Sequence, residues 1–352
     1  MRARTALARL VLVGLVAAAP VACSDDGDGG GGAGGSAPPT SLTGLLGLVP
    51  DTAAVRGAEI YYTSFERVRT GLPAAASAID DLINLNNASS FQASVPIRYG
   101  RCISSDQCLP ELGWDTRSVE AWIEFGEVSE RTEALVGSFS PADIESAIRN
   151  GPAGSSVQTT SIDGATVFSI GTEGETEITE RSGYSQIGRG VTVAVNDSLL
   201  VSADFRADAE GVLTGSASPS LAQDPNYAAV AAALDTASVD QAVITPAFRD
   251  ASWQLAGFGE AVTADDDSGT PDPAVVTYVF VFADNAAAQA GEAEFRSIVE
   301  TGTSDARGVA WSERLTITSS SVDGNVVVVT MQADSAGWWI DPLRLADNLV
   351  VF

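Results

Sequence analysis

Two residue types are missing from this chain altogether. Its 352 residues contain no lysine and no histidine, so all 19 basic side chains are arginine, set against 46 acidic ones for a net charge of −27. The absences exclude whole classes of chemistry. A Ser-His-Asp or Cys-His triad, a His-ligated zinc, a P-loop lysine and a Schiff-base lysine each need a side chain that is not there. Aromatic residues reach only 7%, which leaves little for the stacking platforms of a sugar site. The excess of acid argues against nucleic acid and anionic lipid as electrostatic partners.

What is present begins with an export signal. Residues 1–22 carry Arg2, Arg4 and Arg9, no acid, and the apolar run Leu10 to Ala19, which is too short to span a bilayer comfortably. Ala22 precedes Cys23, and Ser24, Asp25, Asp26, Gly27, Asp28 and a glycine run to Gly35 follow. A small residue before a cysteine and then a polar, flexible tail read as the lipobox of a bacterial lipoprotein, although Pro20 stands where an aliphatic residue is usual. Cys23 is therefore the expected lipid attachment site, 23–40 a flexible spacer, and the lipid the means of membrane anchoring on the outer face. Cleavage before Cys23 removes three arginines and no acids, and leaves a mature charge of −30.

Of the three cysteines, lipidation of Cys23 leaves Cys102 and Cys108. Export favours a structural disulfide between them. Metal binding by two thiolates without histidine is incomplete, and the spacing is not the C-x-x-C of redox catalysts.

In the mature chain one pattern occurs twice. Phe125-Gly126-Glu127 and Phe258-Gly259-Glu260 each precede a polar loop and an apolar strand, Ala134 to Phe139 in one case and Val275 to Phe282 in the other. Helix signals follow at Ser140-Pro141 and Asp284-Asn285. Asp163-Gly164 and Asp323-Gly324 then join pairs of β-rich runs, as type I′ hairpin turns do. A further hairpin, Val191 to Val195 and Leu199 to Ala203, turns at Asn196-Asp197, and helices are expected over Arg206 to Thr214 and Pro225 to Leu234. The expected fold is α+β, with two antiparallel sheets, helices on one face of each, and a duplicated strand-strand-helix-strand-strand unit. The expected divisions are 1–22, 23–40, 41–240 and 241–352.

The lipobox-like start, Leu48-Val49-Pro50-Asp51-Thr52, the strand Ala58 to Ser64, Gly113-Trp114-Asp115, Ser140 at the helix start and Ser220-Leu221-Ala222-Gln223-Asp224-Pro225 occur in that order. Together they resemble an uncharacterised family of actinobacterial cell-envelope lipoproteins. The resemblance spans most of the chain and implies a surface location. It supplies no catalytic residues.

Candidate chemistry is sparse. Asp265-Asp266-Asp267 with Asp272 could offer oxygen ligands to calcium, but consecutive aspartates diverge and the order is not that of an EF-hand, so a solvated loop is expected. Glu127 and Glu260, after equivalent Phe-Gly pairs, are conceivable as the two carboxylates of a glycoside hydrolase. Trp338-Trp339 reads as core or edge packing with one ring buried. Asn87 and Asn196 begin glycosylation sequons to which a bacterial lipoprotein gives no meaning. No catalytic residue, cofactor or metal ligand is expected. The expected function is non-catalytic binding of an envelope partner or ligand, and the alternative is a lipid carrier with an apolar cavity between sheet and helices.

Overall fold

The computed structural model describes residues 39–71, 99, 109–127, 130–152, 154–177, 181–185, 187–215, 219–248, 250–261 and 274–352. The signal segment, Cys23, Cys102, Cys108, Asn87, Asp265 to Asp267 and Asp272 lie outside them.

In chain order the helices are α1 (Leu42–Leu45), α2 (Ala53–Arg56), α3 (Phe65–Gly71), α4 (Leu109–Leu112), α5 (Pro141–Asn150), α6 (Arg206–Leu213), α7 (Pro225–Thr236), α8 (Asn285–Thr301) and α9 (Asp341–Arg344). The strands are β1 (Ile60–Ser64), β2 (Val119–Phe125), β3 (Thr132–Gly137), β4 (Gln158–Ile162), β5 (Ala165–Ile170), β6 (Val191–Val195), β7 (Leu199–Ala203), β8 (Gln241–Pro246), β9 (Leu255–Ala261), β10 (Ala274–Val281), β11 (Leu315–Asp323) and β12 (Val326–Ala333). The fold is α+β, and all strand pairs are antiparallel.

The repeated unit is a strand, two further strands, a helix and a hairpin. It comprises β1, β2, β3, α5, β4 and β5 in the first half, and β8, β9, β10, α8, β11 and β12 in the second. Where two separate sheets were expected, the strands form one 12-stranded sheet in the order β11-β12-β10-β9-β8-β1-β2-β3-β7-β6-β5-β4. The β6–β7 hairpin is inserted between β3 and β5 of the first unit. The reason for the fusion is the first strand of each unit. Each would otherwise expose a row of unpaired backbone groups, and β1 and β8 satisfy them by pairing with each other, Ile60 opposite Ile244 and Thr63 opposite Gln241.

Strand alternation sends side chains to two faces. On one face Ala121, Ile123, Tyr62, Ala242 and Ile244 pack under α1, α6 and α7 in one core. On the other, two cores lie side by side. Trp122, Leu135, Phe168 and Val193 pack with Ile144 and Ile148 of α5, while Phe258, Tyr278, Phe280 and Val327 pack with Phe295 and Val299 of α8. Each unit's own helix thus lies on this second face, together with α3, α4 and α9, while α1, α2, α6 and α7 cover the first. The central strands are buried on both sides, which is why they read as continuous apolar runs. The edge strand β4 is Gln-Thr-Thr-Ser-Ile, largely exposed, a polar border that discourages further pairing. The second core is rich in aromatic pairs, with Trp253, Phe258, Tyr278, Phe280 and Phe295 meeting at centroid separations from 4.8 Å for Phe258–Tyr278 to 6.4 Å for Trp253–Phe258. Such contacts add about 0.5–1.5 kcal/mol each beyond area burial.

Local signals hold closely at the helix starts. Ser140 and Asp284 accept from the backbone N–H of Asp143 and Ala287 and cap α5 and α8. Asp224 caps α7 through the N–H groups of Asn226 and Tyr227. The Asp163-Gly164 turn has positive φ at both residues, 47° and 82°, as type I′ requires. The second hairpin turns one residue later than expected. Asp323 pairs with Val326 and remains in β11, and Gly324 alone takes positive φ, the pattern of a type II′ turn. Both Trp338 and Trp339 are buried, because the chain around them is a coiled strap on the sheet and not a strand whose alternation would expose one.

Candidate functional site

Between the two side-by-side cores runs a seam, centred on the β1–β8 pair, where the sheet face turns polar. Tyr61 packs against both cores. Beside it on the same face lie Glu124, Glu133, Gln241 and Glu260, all about 1% exposed or less. These positions follow from register. Tyr61 stands opposite Glu124, and Gln241 stands opposite Glu260, so each unit places a buried glutamate on its second strand facing a polar residue on its first.

This overturns the expected correspondence of Phe125-Gly126-Glu127 with Phe258-Gly259-Glu260. Phe125 ends β2 on the first face, whereas Phe258 lies inside β9 on the second. Gly126 has φ +98° and breaks the strand, while Gly259 continues it. Glu127 is exposed and Glu260 buried, so the carboxylate pair considered for glycoside hydrolysis is not assembled. The structural counterpart of Glu260 is Glu124.

The two glutamates are served differently. Glu124 forms an ion pair with Arg131 from the β2–β3 loop, and the guanidinium lies 5.7 Å from the Tyr61 ring centroid, within cation–π reach. The Tyr61 hydroxyl donates to Glu59. Burial, reinforced by that bond, pushes the Tyr61 phenol well above its ordinary value. Among the described residues Glu260 has no such ion pair. Its oxygens accept from the Gly337 N–H at 3.2 Å and from Gln241 Nε2 at 3.3 Å. Desolvation raises it to about 7, against the lowering effect of those two donors and with a further push from Asp240 and Asp341. A carboxyl group enclosed by neutral donors and neighbouring acids keeps its proton more readily than one beside a cation.

The seam has two ends. At one, the start of β8, the chain packs on itself. α3 follows β1 with Phe65 fully buried, Arg67 Nη1 donates to Val239 O at 3.0 Å, and the strap holding Gly337 covers Glu260. The Tyr278 hydroxyl, on the same face, donates to Trp338 O at 2.5 Å. At the other end, the start of β1, a groove of about 540 Å³ is open to solvent. Gly57, Ala58 and Glu59 border it on one side, Gly126, Glu127 and Arg131 on a second, and Thr245 to Phe248 on a third. Phe248 is half-buried and meets Trp253 edge-on at 5.8 Å. A smaller groove of about 310 Å³, lined by Asp204, Arg206 and Glu173, lies near the β4 edge. There Arg206 N–H donates to Glu173 at 2.6 Å, and Arg189 faces Asp204 at 3.6 Å.

Among the described residues no helix is long and apolar enough to cross a membrane, and no group of three or more Cys, Asp or Glu could hold a metal ion. Cys23, Cys102 and Cys108 are not brought into view by the described residues. Of the seam residues Glu260 is singled out by the sequence, but with the wrong partner, and Tyr61, Glu124, Arg131, Glu133 and Gln241 are not, although two signals pointed to them. Glu124 interrupts the apolar run Ala-Trp-Ile-Glu-Phe, and Arg131 is the one cation between Glu124 and Glu133, a stretch that also holds Glu127 and Glu130.

No protein-family model matches the chain, and no curated protein matches it significantly. Among solved structures it is similar to crystal form I of the treponemal protein TP0453, at 10% identity and a TM-score of 0.38 over 82% of this chain and 93% of that one. Crystal form IV gives 9% identity and a TM-score of 0.39 over 82% and 93%, and crystal form III 8% and 0.40 over 86% and 97%.

Proposed function

We propose that the protein is a lipid-anchored, extracytoplasmic binding module that carries out no chemistry of its own and recognises an envelope partner through the open end of its seam. The observation that carries the reading is the contrast in packing. Both sheet faces are filled by side chains of near-zero exposure, while the larger described groove is open and mixes Glu59, Glu127 and Arg131 with Phe248. A carrier of acyl chains would be served by an enclosed apolar space. A surface groove with a few charged groups suits recognition of another molecule. The basic, apolar start of the sequence and Ala22-Cys23 support the anchor, since acyl chains contribute about 0.8 kcal/mol per buried CH₂.

The test has two parts. Metabolic labelling with radioactive palmitate is expected to mark the protein and place it in the membrane fraction, and Cys23→Ala is expected to abolish both. An unlabelled, freely released wild-type protein would sink the anchor. Organic extraction of the purified protein followed by mass spectrometry is expected to yield no stoichiometric lipid beyond the anchor, and a bound acyl ligand would turn the reading to a carrier.

A further inference from the structure

The strap over Glu260, residues 335–346, is bound mostly to itself. The N–H groups of Ile340 and Asp341 donate to Gly337 O, those of Arg344 and Leu345 to Ile340 O and Asp341 O, and that of Ala346 to Leu343 O. Among the described residues no backbone-to-backbone bond ties this segment to a strand. Two side chains of the sheet hold it from beneath, Glu260 accepting from the Gly337 N–H at 3.2 Å and Tyr278 donating to Trp338 O at 2.5 Å. From outside, Arg307 reaches Asp341 at 2.5 Å and lies 5.4 Å from the Trp338 ring centroid. The flanks are fixed more firmly. Asp334 donates its N–H to Arg314 O and pairs with the Arg314 guanidinium, and Asp347 accepts from the Ser304 hydroxyl and the N–H groups of Asp305 and Ala306. Just inside those flanks the chain turns through left-handed backbone, at Gly337 with φ +97° and at Ala346 with φ +46°, the latter strained because it carries a Cβ. A self-contained turn between two fixed ends can lift as one piece.

Glu260 is the attachment that charge can undo. Around it stand Asp240 and Gln241 on the β8 side, Tyr278 on β10, itself near Asp347, and Asp341 on the strap. From β1, Thr63 stands opposite Gln241. Arg67 of α3 is engaged with Val239 O, Arg307 with Asp341, and Arg344 acts on Tyr61. An ionised Glu260 is therefore an anion about 1% exposed among acids and neutral donors, and water reaches it when the strap lifts. From this arrangement we infer that residues 335–346 are a lid latched by the protonated Glu260 carboxyl, which lifts as a unit when that group ionises and bares Glu260, Trp338 and Trp339 to solvent. The direction follows from linkage. A lifted lid returns Glu260 toward its ordinary 4.5 from about 7 under cover, so opening becomes easier by up to about tenfold per pH unit between those values and levels off above them. The lid is independent of what the open groove binds.

Hydrogen exchange of the purified full-length chain in detergent, read by mass spectrometry from about pH 5 to about pH 8 and divided by the intrinsic exchange rate at each pH, measures the opening of each segment. Peptides covering 335–346 are expected to open roughly 70-fold more at the upper pH than at the lower, with most of the rise complete near pH 7. Peptides from α5 and from β9 and β10 away from residue 260 are expected to change far less. In Glu260→Gln, which keeps an acceptor for Gly337 and cannot ionise, strap exchange is expected to lose its pH dependence. Arg307→Met removes the outer pin and is expected to raise strap opening by a similar factor at every pH, and it gives a reading whether or not Glu260→Gln folds. A wild-type strap whose opening changes less than about threefold over this range would overturn the latch. An equal rise in the α5 peptide would mean global loosening and overturn the lid. A pH dependence that survives in Glu260→Gln, or that vanishes in Arg307→Met, would assign the titration to another group and overturn the role of Glu260.

Discussion

Glu124 and Glu260 occupy corresponding places in two copies of one unit, yet one is held by a cation at an open groove and the other by a backbone N–H beneath a strap. The difference shows how a duplicated framework divides its roles. In the second unit the strap after β12 closes over the glutamate and buries Trp338 and Trp339, so the polar seam becomes an internal joint. In the first unit the chain after β5 goes instead into the β6–β7 hairpin, which widens the sheet, and the glutamate is neutralised from the β2–β3 loop by Arg131. Closure favours stability, and the open end leaves side chains facing solvent.

The largest effect is expected from breaking the ionic side of this comparison. Arg131→Met leaves Glu124 buried without its cation, and removal of one member of a buried pair costs about 3–5 kcal/mol. Chemical denaturation of variant and wild type would read this as a lowered midpoint with an unchanged slope. A loss below about 1 kcal/mol would mean that Glu124 is held by something other than its ion pair.

The second test works on Glu260 and on pH. Its folded value is about 7 against an ordinary 4.5, so the folded state holds the proton more tightly than the unfolded chain does. Stability from this group is therefore fully present below pH 4.5 and is lost as pH rises through 7, by about 3 kcal/mol for a shift of this size. The charged neighbours Asp240 and Asp341 reinforce the effect, and Tyr278 stays neutral because burial holds its phenol well above the ordinary value. Glu260→Gln should abolish that portion of the pH dependence. The stability difference between wild type and variant, measured from pH 4 to 8.5, should follow a single titration, and a flat difference would remove Glu260 from the account.

A third, smaller effect concerns how closely a helix approaches each unit. Three residues before the corresponding glutamates stand Ala121 in β2 and Gly257 in β9. A Cβ on Gly257 would lie 2.4 Å from Val230 Cγ1 and 2.9 Å from Leu234 Cδ1 of α7, so Gly257→Ala is expected to cost about 1–3 kcal/mol by overpacking. The calorimetric midpoint should fall, and compensation by Val230→Ala would locate the clash. The smallest effect sharpens the comparison at the helices. Ser140→Ala and Asp284→Ala each remove one capping acceptor, and each is expected to cost about 1 kcal/mol. Unequal costs in urea titrations would show that one unit's helix depends more on its cap than the other's.

Much of the framework was legible along the chain. The ranges of β5, β6 and β7 agree with the alternating runs between their turn residues, and the starts of α5, α7 and α8 agree with their capping side chains, because turns and caps are settled by a few neighbouring residues. The seam was harder to read. Phe-Gly-Glu occurs twice as a string, but the first copy ends a strand at Gly126 and the second runs through one. Which face a residue occupies is a matter of parity, and a slip of one position reverses it. The second hairpin shifted its turn by one residue for a related reason, since the pairing of β11 with β12, bulged between Ile317 and Ser319, fixes which residue is left for the turn. Glu124 and Arg131 were visible as anomalies of composition. Their partnership was not.

The sequence by itself determined the chemistry this protein can attempt, its acidic character and the order of its elements, because these depend on which side chains exist and on interactions spanning a few residues. Only the tertiary structure decided that the two units share one sheet, that Glu124 and not Glu127 answers to Glu260, and that one end of the seam is closed while the other is open. Those outcomes depend on β1 meeting β8 across about 180 residues of chain, and on which segment returns to cover each face. Contacts at such separation are set by the packing of the whole core and leave no local signature in the order of residues.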